Sequence, residues 1–273
     1  MTALTLSTAG AATLRADALV VGVAKGAGSK SGDLVLAPGA EAVDKAFGGK
    51  LATVLATLGA SGAEGELTKL PAPDGLKVPV VIAAGLGPVP EKDGAYDAEV
   101  LRRAAGSAAR SLTGSKKAGF ALPIASVEDA EAIAEGALLG AYAFTAYQGG
   151  ENKLAPKPAK SAKGNGAKQP LAEVHLLGTK ARDKAYKAAA ERAAALAEEI
   201  NRARDLINTP PNDLYPESFA AVATAAGKEH GIKVQVLDEK ALVKGGYGGL
   251  LGVGLGSTLG PRLVKLAYTH PKA

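Results

Sequence analysis

The sequence predicts an α/β protein in two parts joined by one long helix. Three observations carry this: continuous apolar runs alternate with segments of helical periodicity, residues 183–208 keep helical spacing without interruption, and the alternation restarts after Pro210-Pro211. Such alternation favours a sheet with helices packed on its faces.

Ala18 to Ala24 is an unbroken apolar run, hence a buried strand, and Val80 to Ala84 is a second. Between them Val43, Phe47, Leu51, Val54, Leu55 and Leu58 fall at helical spacing, with Gly48-Gly49 weakening any single helix across them. Next come a helix over about 98–112, a strand over about 119–122 and a helix over about 127–146. Ser126 suits the N-cap of that last helix, and Asp129 and Glu131 place negative charge near the positive end of its dipole. Val174 to Leu177 resumes as a strand.

Small and aliphatic residues at 189, 193, 196, 200, 203 and 207 form one stripe of the long helix. Thr209-Pro210-Pro211 stops it, because proline disfavours helical angles in the preceding residue and donates no backbone hydrogen bond. A helix over about 216–228 follows, with Pro216 in the first turn where an amide would lack a partner. A strand over 233–237, a short helix over 239–244 and a strand over about 262–268 complete the chain. The domain reading is therefore 1–182, a connecting helix 183–208, and 209–273 as the start of an incomplete second α/β domain.

With 47% hydrophobic residues among 273, a sizeable core is available, but only 4% are aromatic, so helices are expected to meet through small side chains. The absence of cysteine excludes disulfides and thiolate metal sites and fits a reducing, cytoplasmic location. Met1 to Leu14 lacks a basic segment followed by an apolar run, and no segment approaches the ~18 apolar residues of a membrane span. Neither secretion by a leader nor membrane insertion is expected.

The net charge is +5, and part of it is clustered in Lys153, Lys157, Lys160, Lys163 and Lys168. Residues 152–170 consist largely of Lys, Ala, Pro and Gly, a composition expected to give a mobile surface loop. The lysines raise a DNA contact from Lys153 to Lys168, although no aromatic residue is interleaved for base stacking and such runs are ordinarily solvated.

Other motifs have plain structural readings. Gly252, Gly254 and Gly256 before Ser257 lack the GxGxxG spacing of a phosphate loop, so a turn or packing role is expected. His175, His230 and His270 are far apart, and a zinc site would need all three to converge. Asp205, Asp213 and Glu217 flank the diproline and could act as an acid/base pair. Their ordinary roles are Asp213 capping the next helix and Asp205 pairing with Arg202 or Arg204.

Asn208-Thr209-Pro210-Pro211-Asn212, the strand Lys233 to Asp238, and Gly246 to Gly254 leading through Gly256-Ser257 to Pro261-Arg262 occur in one order. In this the chain resembles the leucyl aminopeptidases, the M17 or cytosol aminopeptidase family. The resemblance implies an N-terminal α/β domain similar to macro domains, a connecting helix, a C-terminal peptidase domain and hexameric assembly. It also implies release of N-terminal residues from peptides by two divalent ions, manganese or zinc, that polarise the carbonyl and activate a bridging water.

The family's metal ligands lie in a Val-Gly-Lys-Gly-type segment and an Asn-Thr-Asp-Ala-Glu-Gly-Arg segment, and neither is in this sequence. No catalytic, metal or cofactor-binding position is assigned on this chain, which is expected to be an inactive fragment when alone. Two rival readings are a macro-like module binding nucleotide, ADP-ribose or DNA, and a purely assembly role.

Overall fold

The computed structural model describes residues 2–26, 34–91, 95–147 and 169–270. The chain forms two compact units, 1–202 and 203–273. The predicted lysine-rich loop, with Lys153 to Lys168, lies outside the described residues.

In the first unit the strands and helices are β1 (Ala3–Leu6), β2 (Ala18–Lys25), β3 (Leu34–Leu36), α1 (Glu41–Ala46), α2 (Leu51–Thr57), β4 (Leu67–Pro71), β5 (Val80–Pro88), α3 (Ala98–Ser111), β6 (Lys117–Ala121), α4 (Val127–Gly140) and β7 (Glu173–Leu176). The sheet order is β1-β7-β6-β2-β5-β4, with β3 paired to β2. All neighbours are parallel except β4 with β5 and β3 with β2. This is a mixed α/β sheet dominated by parallel strands, each central one covered on both faces.

Alternation along β2 divides the core in two. Ala18 and Val20 join Ile82, Phe120, Val174, α3 and α4 on one face, whereas Leu19, Val21 and Val23 join Val81, Ala83, Val43, Leu51 and Leu55 on the other. Gly48 and Gly49, at φ 66° and 73°, separate α1 from α2 in the left-handed region that glycine tolerates.

Helix α4 begins where expected. The Ser126 hydroxyl accepts from Asp129 N at 3.1 Å, and the Asp129 carboxylate accepts from Ser126 N at 2.9 Å, a reciprocal capping box. It ends at Gly140, short of the expected 146. The residues beyond include Tyr142, Phe144, Thr145 and Tyr147, which restrict side-chain freedom in a helix, and the rings of Phe144 and Tyr147 meet at 5.7 Å.

Helix α5 (Lys184–Asn208) is 25 residues long. Its buried residues are Ala189, Ala193 and Ala197, while Leu196, Ile200 and Ile207 are exposed, Ile207 at 81%. The expected stripe through 196, 200 and 207 is thus corrected: alanines at i, i+4 and i+8 allow a close approach that branched side chains would block. Arg192 closes the contact by pairing with Glu131 of α4.

The second unit takes up the end of α5 and continues with α6 (Pro216–His230), β8 (Lys233–Leu237), α7 (Glu239–Lys244), α8 (Gly248–Gly254) and β9 (Leu263–Ala267). Strands β8 and β9 form a separate antiparallel pair. Helix α8 corrects the turn expected around Gly252: Gly248, Gly249, Gly252 and Gly254 are helical despite a cost of roughly 1 kcal/mol each relative to alanine. Among this unit's described hydrophobics only Ala220 and Leu242 are buried, whereas Val253 and Leu255 are 92% and 86% exposed.

Candidate functional site

The junction after α5 is the segment whose motif carries the resemblance. Thr209 turns its hydroxyl back to the Asp205 carbonyl at 2.7 Å, and the Pro210 carbonyl accepts from Asp213 N at 3.0 Å and Leu214 N at 2.9 Å. The two prolines end one helix and this compact turn aims the chain into the next.

The start of α6 is capped differently from expectation. Tyr215 N donates to the Ser218 hydroxyl at 2.9 Å, and that hydroxyl faces the carbonyls of Asp213 and Tyr215 at 2.9 and 3.0 Å. Asp213 instead accepts from the Asn212 side-chain amide at 3.3 Å. Ser218, at the third helical position, reaches back to the Tyr215 amide as the N3 residue of a capping box does, while Pro216 at the first position has no amide to satisfy. The signal was present in the sequence as a serine three residues after Tyr215.

Glu217 is used structurally, lying 3.7 Å from Arg262, whose guanidinium also donates to the carbonyls of Gly260 at 3.2 Å and Pro261 at 3.0 Å. This fastens α6 to the approach of β9. Sequence reading placed Arg262 on a strand and missed the tie.

The histidines have separate surroundings. His175 on β7 meets Glu173 at 3.1 Å, and His230 ends α6 beside Glu229 at 3.6 Å with Gly231 at φ 68° behind it. Among the described residues no group of three or more His, Asp or Glu is placed to hold a metal ion.

The other place to seek a ligand is the C-terminal edge of the parallel strands, where open α/β sheets ordinarily bind. Among the described residues there, several backbone segments approach closely. A Cβ added to Gly39 would come within 2.6 Å of the Ala121 carbonyl oxygen, one on Gly62 within 2.6 Å of the Ala24 backbone, and one on Gly85 within 1.9 Å of the Ala63 oxygen. The Glu66 carboxylate holds the 61–63 turn, accepting from Ser61 N at 2.9 Å, the Ser61 hydroxyl at 2.8 Å and Ala63 N at 3.2 Å.

Partial burial raises the Glu66 pKa, but hydrogen bonds from the Ser61 hydroxyl and the amides of Ser61, Ala63 and Gly62 outweigh it and hold the group below its ordinary 4.5. A carboxyl depressed in the folded state contributes stability that is complete above its unfolded value and disappears as pH falls through the lower folded one. Glu66→Gln should therefore lower the urea midpoint at neutral pH, with the gap closing as pH falls through the carboxyl's lowered pKa. Equal midpoints at neutral pH, or a gap that widens in acid, would contradict this role.

Comparison with known proteins places these features. Over 93% of this chain the fold matches the bottromycin maturation enzyme BotP in complex with Mn, at TM-score 0.64 and 26% identity, covering 46% of that chain. A tomato leucine aminopeptidase mutant shares the fold over 99% of this chain and 51% of its own, with TM-score 0.76 and 17% identity. Residues 20–151 match the N-terminal domain of the cytosol aminopeptidase family and residues 201–273 its catalytic domain. The chain belongs to the cytosol aminopeptidase family.

Curated relatives agree. A protein named "Probable cytosol aminopeptidase" from Streptomyces griseus subsp. griseus is 84% identical over 273 residues, and one of the same name from Streptomyces coelicolor is 70% identical over 274. Each alignment takes in all of this chain and 52% of the relative, so the chain spans about half their length.

Proposed function

We propose that this chain is the N-terminal half of a cytoplasmic, hexameric leucyl aminopeptidase that releases N-terminal residues from peptides with two divalent ions, manganese or zinc. The observation that carries the reading is the 84% identity to the S. griseus relative along the whole of this chain. In this reading 1–182 is a macro-like α/β domain, 183–208 the connecting helix and 209–273 the opening of the peptidase domain.

The described residues do not fit a metal pair, since no acidic or histidine cluster of ligating size exists among them. In this reading peptide hydrolysis falls to the half of the relatives that this chain does not span. The chain's own part is to supply the first unit's core, the long helix, and the turn at Pro210-Pro211 that starts the peptidase domain. The exposed Val253, Leu255, Leu266 and Tyr268 of the second unit support a role as a surface to be covered by further catalytic-domain sequence.

Among the described residues no helix is long and apolar enough to cross a membrane.

A chimera tests the proposal. Joining this chain to the remaining half of the S. griseus relative should give leucine-p-nitroanilide hydrolysis that needs manganese or zinc and stops with a chelator. A folded chimera inactive with either metal, beside an active S. griseus control, would remove the proposal.

A further inference from the structure

We propose that the N-terminal edge of the large sheet carries a binding site for a small phosphate-bearing anion, separate from peptide hydrolysis. Strands β6, β2 and β5 are parallel neighbours, so the three segments that enter them meet at one edge. Arg15 to Asp17 lead into β2, Lys77 lies just before β5, and Lys116 leads into β6, which Lys117 opens. With Ala16 they line one shallow, solvent-open depression.

The charges there are not mutually cancelled. The Asp17 carboxylate is engaged by backbone, accepting from Lys116 N at 2.6 Å and Lys117 N at 3.0 Å, while Asp17 N donates to the Lys117 carbonyl at 2.9 Å. These bonds hold the β2 and β6 entries together and present the cationic side chains around the opening. Lys117 lies 3.6 Å from Glu173, which also serves His175. Among the described residues no ion pair engages Arg15, Lys77 or Lys116.

The lining decides the ligand class. Four cations converge on a hollow that has no aromatic ring for stacking a base and only Ala16 as an apolar residue. That favours the phosphate groups themselves, recognised by several charges at once, over a nucleobase or an apolar peptide side chain. Each exposed charge contributes little singly, so the site depends on their sum and weakens with added salt.

Titration of the isotope-labelled 273-residue chain with inorganic pyrophosphate, followed by amide NMR, tests this. Saturable shifts are expected at residues 15–17, 77 and 115–117. The exposed-site substitutions Lys77→Gln with Lys116→Gln should weaken binding at least about fivefold, and Arg15→Gln, from a separate segment, should repeat the loss. Asp17→Asn keeps an oxygen for the two amides but removes the competing charge, so it should tighten binding. Unchanged α3 resonances verify the fold of each variant. Non-saturating or scattered shifts, or affinity indifferent to these substitutions, would overturn the site. Binding of duplex DNA through these residues without pyrophosphate binding would assign the surface to nucleic acid and end the small-anion reading.

Discussion

Phe120→Ala is expected to destabilise the first unit by about 3–5 kcal/mol, seen as a large fall in the urea midpoint of its unfolding. Phe120 is fully buried near the C-terminal end of β6, aligned with Val20 of β2 and Leu176 of β7. The core cluster it belongs to draws many alanines from α3 and α4, including Ala104, Ala108, Ala134 and Ala137, beside Leu101 and Ile133. The alanines of that cluster have no rotamer with which to fill a void, which limits relaxation around the lost ring. Against a typical total of about 5–15 kcal/mol for a domain, such a loss is large. Phe120→Leu should recover most of it, and a loss under about 1 kcal/mol for the alanine variant would contradict the assigned core.

Gly136→Ala is the second large effect, and its origin is backbone contact. A Cβ at Gly136 would stand 2.0 Å from the Arg102 carbonyl oxygen, and one at Gly140 would stand 2.1 Å from that of Gly106. A close carbon–oxygen approach is about 3.3–3.6 Å, so α3 and α4 would have to separate by more than an ångström. Neither carbonyl can swing aside, because each belongs to helix α3. The separation would loosen the alanine seam and the 2.9 Å pair of Arg102 with Glu135. We expect an overpacking loss of about 1–3 kcal/mol, of which the better helix propensity of alanine offsets up to about 1 kcal/mol. Gly252→Ala on open α8 is the control: with nothing within 4 Å of the added carbon, it should leave stability unchanged or improved. Equal behaviour of the two variants would refute the close-contact account.

The sequence was most legible where one local rule decided the outcome. The apolar runs starting at Ala18 and Val80 are strands, Gly48-Gly49 divides two helices, and Lys233–Leu237 and Glu239–Lys244 fall at the expected residues. What escaped depends on distant partners. β1 is recognisable only through pairing with β7, some 170 residues on, and β3 and β4 are short strands paired on one side, with little buried surface to mark them. On α5 the sequence stripe held two sets of apolar residues, and only packing shows that alanines rather than Leu196 and Ile200 face inward.

The candidate site was legible in a different way. The diproline segment and the glycine-rich run that follows pointed to the family, yet local chemistry there was misread, since Ser218 caps α6 where Asp213 was expected to. The cationic depression could not be read at all: Arg15, Lys77 and Lys116 are distant in sequence and meet only because β2, β5 and β6 enter the sheet side by side.

In the function proposed above, the hydrolytic residues lie outside this chain. Leucine-p-nitroanilide hydrolysis by the purified 273-residue chain, confirmed at 27.2 kDa by intact mass and supplied with manganese or zinc, tests it most directly. No metal-dependent hydrolysis above buffer is expected; turnover that follows the 27.2 kDa species through purification and stops on chelation would overturn the proposed function.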